Sequence, residues 1–173
     1  MKLRNSVFGV LALVFCLFCA AVGAQEGPAP LVERILEVVE RPVGLAHLPR
    51  CSDGRLALAL ATAQEGLHVH GQDADADEVA AAQKAADHTS LLNRRVTFDQ
   101  GGLGRLLPVA RSCDLVVLTD LGAGELTPDL AAEIRRVLHP WYGVAVLGDL
   151  SGKLDATSLR DWAKAISPDV SPL

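Results

Sequence analysis

The chain has 173 residues, with 16 Lys and Arg against 21 Asp and Glu, and carries a formal charge of −5 at neutral pH. That length suits one domain with a sizeable core. An acidic balance with no basic cluster excludes the electrostatics on which nucleic-acid and anionic-membrane binding usually rest.

Residues 1–24 stand apart. Lys2 and Arg4 form a basic head, Val7 to Val22 is an apolar run interrupted by one glycine, and Val22-Gly23-Ala24 offers small residues where a signal peptidase cuts. The run falls short of the ~20 residues that span a bilayer, and Phe18 before Cys19 is too large for a lipoprotein junction. The sequence therefore predicts a signal peptide over residues 1–24 and an exported, periplasmic or extracellular domain over residues 25–173, with no stable membrane insertion after cleavage. Cleavage removes two cations and no acid, so the formal charge moves from −5 to −7.

Leu31, Ile35, Val38 and Val39 recur at helical spacing, with Pro42 as the stop. Val43 to Leu48 reads as the first strand and Arg55 to Ala63 as a Leu- and Ala-rich helix. Leu67 to His70 is a short strand. Asp75-Ala-Asp-Glu78 has the form of a capping box that opens a helix through about Leu92. Arg95 to Phe98 is a third strand, and the continuous apolar runs Asp114 to Leu118 and Val144 to Leu147 suit strands buried on both faces of a parallel sheet. Between them Thr127-Pro128 caps a helix whose apolar face is Leu130, Ile134, Val137 and Leu138. Asp129 and Glu133 lie early in it and Arg135 and Arg136 late, as the helix dipole favours. A last helix begins near Asp155, with Leu159, Trp162, Ala163 and Ile166 on one side. Strand and helix alternate throughout, which implies an α/β fold: a Rossmann-like, doubly wound, mostly parallel sheet of about five strands.

Four stretches in order resemble the class I S-adenosylmethionine-dependent methyltransferase family. Cys51-Ser-Asp-Gly-Arg-Leu56 is similar to its loop after the first strand, and Gly71-Gln-Asp73 to the Gly-x-acid after its second. Cys113-Asp-Leu-Val-Val-Leu-Thr-Asp120 is similar to its fourth strand, and Glu133-Ile-Arg-Arg-Val-Leu-His-Pro-Trp-Tyr-Gly-Val144 to its following helix and turn. The likeness runs from about Leu31 to Asp149. It implies a cofactor, S-adenosylmethionine, held by Cys51, Ser52, Asp53, Gly54 and Asp73, with methyl transfer by proximity to an acceptor placed in line.

The chain departs from that pattern at the ligand. Arg50 and Ser52 stand where the family has glycine, and Pro49 removes an amide donor, so only Gly54 remains to let the backbone approach a ligand. Asp53 suits either an amino group or the helix N-cap. Asp73 suits either the ribose hydroxyls, as the resemblance implies, or a solvated turn. Where the family has an acid near the adenine this chain runs Asp99-Gln-Gly-Gly-Leu103, so either Asp99 substitutes or that acid is lost, and Thr119-Asp120-Leu121-Gly122 carries no acceptor-site motif, so no catalytic residue is named. The sheet hairpin that closes the family's fold at the C-terminus is missing. The chain resembles the abbreviated methyltransferase-like domains found ahead of β-propeller repeats in exported bacterial proteins. Two functions follow: a methyltransferase with a degenerate site, or a non-catalytic exported domain that binds a partner or another ligand.

Other constellations weigh less. His68 and His70 share a strand face and, with His47 or Cys51, have the residue types of a zinc site without its closing spacing; packed strand histidines are the plainer reading, and no metal is assigned. A dinucleotide site needs three spaced glycines and finds only Gly54. Trp141 and Tyr142 replace the family's paired glycines, which keeps that turn out of the left-handed region and suits either presentation of two aromatics to a partner or, the plainer reading, burial against the last helix. Of the four cysteines only Cys51 and Cys113 follow the signal. They fall at opposite ends of parallel strands, too far apart to pair.

Overall fold

The computed structural model describes residues 27–39 and 43–167, together with the backbone of two outer strands, Leu13–Cys16 and Val170–Pro172. In chain order the elements are β1 (Leu13–Cys16), α1 (Ala29–Val38), β2 (Gly44–Leu48), α2 (Arg55–Ala63), β3 (Leu67–Asp73), α3 (Ala76–His88), β4 (Val96–Gln100), β5 (Leu115–Leu118), α4 (Pro128–Val137), β6 (Val144–Gly148), α5 (Ala156–Ala163) and β7 (Val170–Pro172). The sheet order is β4-β3-β2-β5-β6-β1-β7, and these strands pair in parallel throughout. Five parallel strands, β2 to β6, form the Rossmann-like α/β core that the alternating pattern implies. The two short strands extend its β6 edge in parallel, whereas a terminal hairpin would run antiparallel. Most of the expected signal peptide and its cleavage point, and Pro42 as a helix stop, lie outside the described residues.

The continuous apolar strands are buried on both faces because each face is covered by helices. Ala46, Leu48, Val69, Phe98, Leu115, Val117, Val144 and Val146 point to the α1, α2 and α3 side, where Ile35, Leu60, Ala61 and Ala82 complete the core. Val116, Leu118, Ala145 and Leu147 point the other way, against Leu130, Ile134 and Val137 of α4 and Leu159 of α5. Local signals set the helix starts. The Asp75 side chain accepts from the Asp77 amide, Thr127 from Leu130 and Asp155 from Ser158.

Two element ends and the burial of one turn differ from the sequence reading. The third helix ends at His88 instead of Leu92, because Ser90 and Asn93 take left-handed backbone, with φ of 59° and 57°, and turn the chain into β4. β3 runs on past His70 to Asp73 because Gln72 and Asp73 register against Asp99 and Gln100. Trp141 and Tyr142 are not buried against the last helix: they are 61% and 43% exposed, with Tyr142 stacked on His139. The last helix instead sends the Trp162 indole N–H to the Thr127 carbonyl. Among the described residues no helix is long and apolar enough to cross a membrane.

Candidate functional site

β2 delivers the chain at Leu48 into the turn Pro49 to Gly54, whose shape is fixed by backbone bonds. The Cys51 amide donates to the Gln72 carbonyl at 3.0 Å, which ties the turn to β3, and the Gly54 amide donates to the Cys51 carbonyl at 2.9 Å. Gly54 has φ 78°, and a Cβ there would lie 2.8 Å from the Ala82 Cβ and 3.0 Å from the Phe98 ring. This position accepts glycine alone, because α2 must pass close to α3 and β4. Gly71 is under the same demand: a Cβ would lie 2.5 Å from the Phe98 ring and 2.8 Å from the Cys51 Cβ. Ser52, by contrast, holds φ 44° in the left-handed region with a side chain attached.

Asp73 pays for that conformation. Its carboxylate is 9% exposed; Oδ2 accepts the Ser52 amide at 3.0 Å and Oδ1 the Asp75 amide at 3.1 Å. It is therefore neither a solvated turn residue nor a carboxylate free of partners. Asp53 accepts the Arg55 amide at 3.2 Å and pairs with the Arg55 Nε at 2.7 Å, while Gly54 takes the N-cap position itself. Cys51 is buried, and that burial pushes its thiol up to about 12. The five residues Cys51, Ser52, Asp53, Gly54 and Asp73 thus come together at one strand end, each engaged by the protein's own backbone or core.

Arg50 lies on the open side of this turn. Its guanidinium donates from Nη1 to the Asp120 carbonyl and from Nη2 to Glu125 Oε1; Nη1 also lies 3.2 Å from Glu125 Oε2 and 3.8 Å from the Asp120 carboxylate. Glu125 closes the short turn Ala123–Glu125 and accepts the Gly122 amide at 2.8 Å. The hydrogen bond from Arg50 holds the Glu125 carboxyl below the usual carboxylate range. The ion pair therefore bridges the carboxyl ends of β2 and β5, which is where the strand order reverses and where open α/β sheets bind ligands. Sequence reasoning found Arg50 as an obstruction and missed Glu125, which belongs to no periodic pattern and meets Arg50 only through the sheet.

The histidines form a different cluster. His47, fully buried, stacks on His70 with ring centroids 5.0 Å apart, and the two Nδ1 atoms lie 3.0 Å from one another. His70 Nε2 in turn lies 3.1 Å from Asp99 Oδ2, so Asp99 is engaged here. Burial above all, then the neighbouring His70, lowers the His47 pKa to about 3. His68 is exposed and takes no part, and among the described residues no group of three His, Cys, Asp or Glu is set to hold a metal.

Comparisons with known proteins agree with the fold. The family profile described as "Methyltransferase domain" matches residues 50–141, just over half of the chain. No curated protein matches. Among solved structures, a putative S-adenosyl-L-methionine-dependent methyltransferase from Methanococcus maripaludis superposes with a TM-score of 0.61 at 20% identity, covering 80% of this chain and 60% of its own. A putative sarcosine dimethylglycine methyltransferase from Galdieria sulphuraria gives 0.65 at 15% identity, with the same coverage of 80% and 60%. The geranyl diphosphate C-methyltransferase of Streptomyces coelicolor, solved with S-adenosyl-L-homocysteine, gives 0.57 at 14% identity over 63% of this chain and 41% of its own. The chain spans less than two thirds of the length of each of these structures.

Proposed function

Since the chain belongs to the methyltransferase domain family, we propose that it is an exported methyltransferase-like domain whose hold on S-adenosylmethionine is weakened or lost. The observation that carries this reading is the ion pair of Arg50 with Glu125, which lies across the strand ends where the family's cofactor would enter. Two further features support it. Both Asp73 oxygens are committed to backbone amides, so a ribose would have to share them. Ser52 adds a side chain on a left-handed backbone where glycine would leave the turn open. The residues present therefore do not fit the cofactor as they stand, and no transfer step is derived through it. The turn itself persists because Cys51, Gly54 and Gly71 pack the helices onto the sheet, a structural demand that outlives the ligand.

Calorimetric titration of the chain from Gln25 with S-adenosylmethionine tests the reading. The native protein should give little or no heat of binding, and Arg50→Gly/Ser52→Gly should gain affinity. Micromolar binding by the native protein that disappears in Asp73→Ala would overturn the degenerate site and restore a working methyltransferase.

A further inference from the structure

We infer that the crevice between β2 and β5 is a carboxylate-binding site whose resident occupant is the chain's own Glu125. This rests on the degenerate-site reading and adds the chemical class of ligand that the altered crevice takes. The Arg50 fork meets a carboxylate in the two-pronged manner that arginine uses for external carboxylates: Nη2 on Oε1 and Nη1 on Oε2. The carboxylate in question is lightly anchored. It ends a short turn whose Gly122, Ala123 and Gly124 are exposed, and its one further bond is from the Gly122 amide, three residues back. The arginine is firmly seated by comparison. It follows Pro49, precedes the buried Cys51 and also grips the Asp120 carbonyl, which the strand ends hold through the Leu121 amide bond to Gly148 and the Leu150 amide bond to Thr119.

Charge fixes what can enter. Arg50 faces Glu125, Asp120 and Asp73, so one guanidinium already stands among three carboxylates and an added anion is tolerated only by exchange with Glu125. Exchange keeps the local charge constant: the ligand's carboxylate takes the fork and Glu125 swings into solvent with its turn. No covalent bond changes. The internal competitor lowers the apparent affinity by the fraction of time that it occupies the fork, so removing its charge raises affinity while the arginine stays in place.

The probe is succinate, with dimethyl succinate as the neutral control and inorganic phosphate as a second anion, followed by the NMR shift of the Arg50 Nε–H and by Kd. Glu125→Gln should bind succinate about three- to tenfold more tightly than the native chain, Arg50→Gln should lose the response, and the diester should give none. Phosphate binding that matches succinate in all three proteins would replace the carboxylate assignment with a general oxyanion site and overturn it. Unchanged affinity in Glu125→Gln, with the fold intact by thermal melting, would also overturn it. Glu125→Ala repeats the test without a side-chain amide. These outcomes are read apart from the titration above. Tight cofactor binding by the native chain would defeat the degenerate site whatever succinate does, and recovery of cofactor binding in Arg50→Gly/Ser52→Gly, with no succinate response in either the native chain or Glu125→Gln, would defeat this inference alone.

Discussion

His47 stays neutral wherever the fold survives, since burial and His70 lower its pKa to about 3, while in the unfolded chain it takes up a proton near pH ~6.5. Between those values the unfolded state binds the extra proton, so acidification below about pH 6.5 removes stability, at up to about 1.4 kcal/mol per pH unit. His47→Asn keeps a donor for the His70 carbonyl and removes the titration. Denaturant melts at neutral and mildly acid pH should show a smaller acid loss in the variant, and equal losses would exclude His47 as the source. Glu125 acts in the same direction at lower pH: Arg50 depresses its pKa, so its contribution is present above the ordinary glutamate value and fades as pH falls through the depressed one. The thiols of Cys51 and Cys113 are both buried and both pushed up to about 12. Alkylation should be slow in the native protein and should count two thiols after denaturation without reductant; a single disulfide would contradict the strand order that sets them at opposite sheet ends. Gly54 was legible as the glycine a motif retains, and Arg50 and Ser52 as departures from it. Glu125 and the Ser52 amide on Asp73 were not, because no local rule couples a residue to one some seventy or twenty positions away.

At the scale of elements, what the sequence made plain was whatever is settled within a few residues. The starts of α3, α4 and α5 follow from Asp75, Thr127 and Asp155, whose side chains meet amides two or three residues on. The end of β3 did not, because Gln72 and Asp73 are strand only by virtue of β4 beside them. The Trp141–Tyr142 turn misled for a related reason: burial was expected from residue type, yet both rings are exposed and Tyr142 stacks on His139. The α2 entry is where an element depends on one residue. Gly54→Ala would set a methyl 2.8 Å from the Ala82 Cβ on a left-handed backbone, and should cost about 1–3 kcal/mol of stability. Gly104→Ala is the control, since nothing lies within 4 Å of a Cβ there. Chemical denaturation of the two variants side by side decides, and a Gly54 variant as stable as the control would mean that the turn relaxes freely.

For the whole molecule, the open question is the edge beyond β6. The two cores are made by β2 to β6 with α1 to α5, while β1 lies inside the expected signal peptide and β7 pairs with β1 alone among the described residues. Cleavage after Ala24 and the β1 pairing therefore exclude one another. If the signal is removed, Val144 to Gly148 loses the neighbour on its outer side, and the C-terminal strand loses the one that holds it. The five central strands keep all their own ladders and both helical layers, so the chain that begins at Gln25 should still unfold in one cooperative step. Hydrogen exchange should find the amides of β2, β3 and β5 protected in both precursor and mature chain, whereas residues 170–172 should exchange faster in the mature chain. A free, apolar parallel edge also invites association, so the mature chain should self-associate more than the precursor as concentration rises. Mass spectrometry of the exported protein should find Gln25 at its N-terminus. An intact Met1, or a mature chain without a cooperative melt, would instead make Leu13 to Cys16 a working strand of the fold and retire the signal-peptide reading.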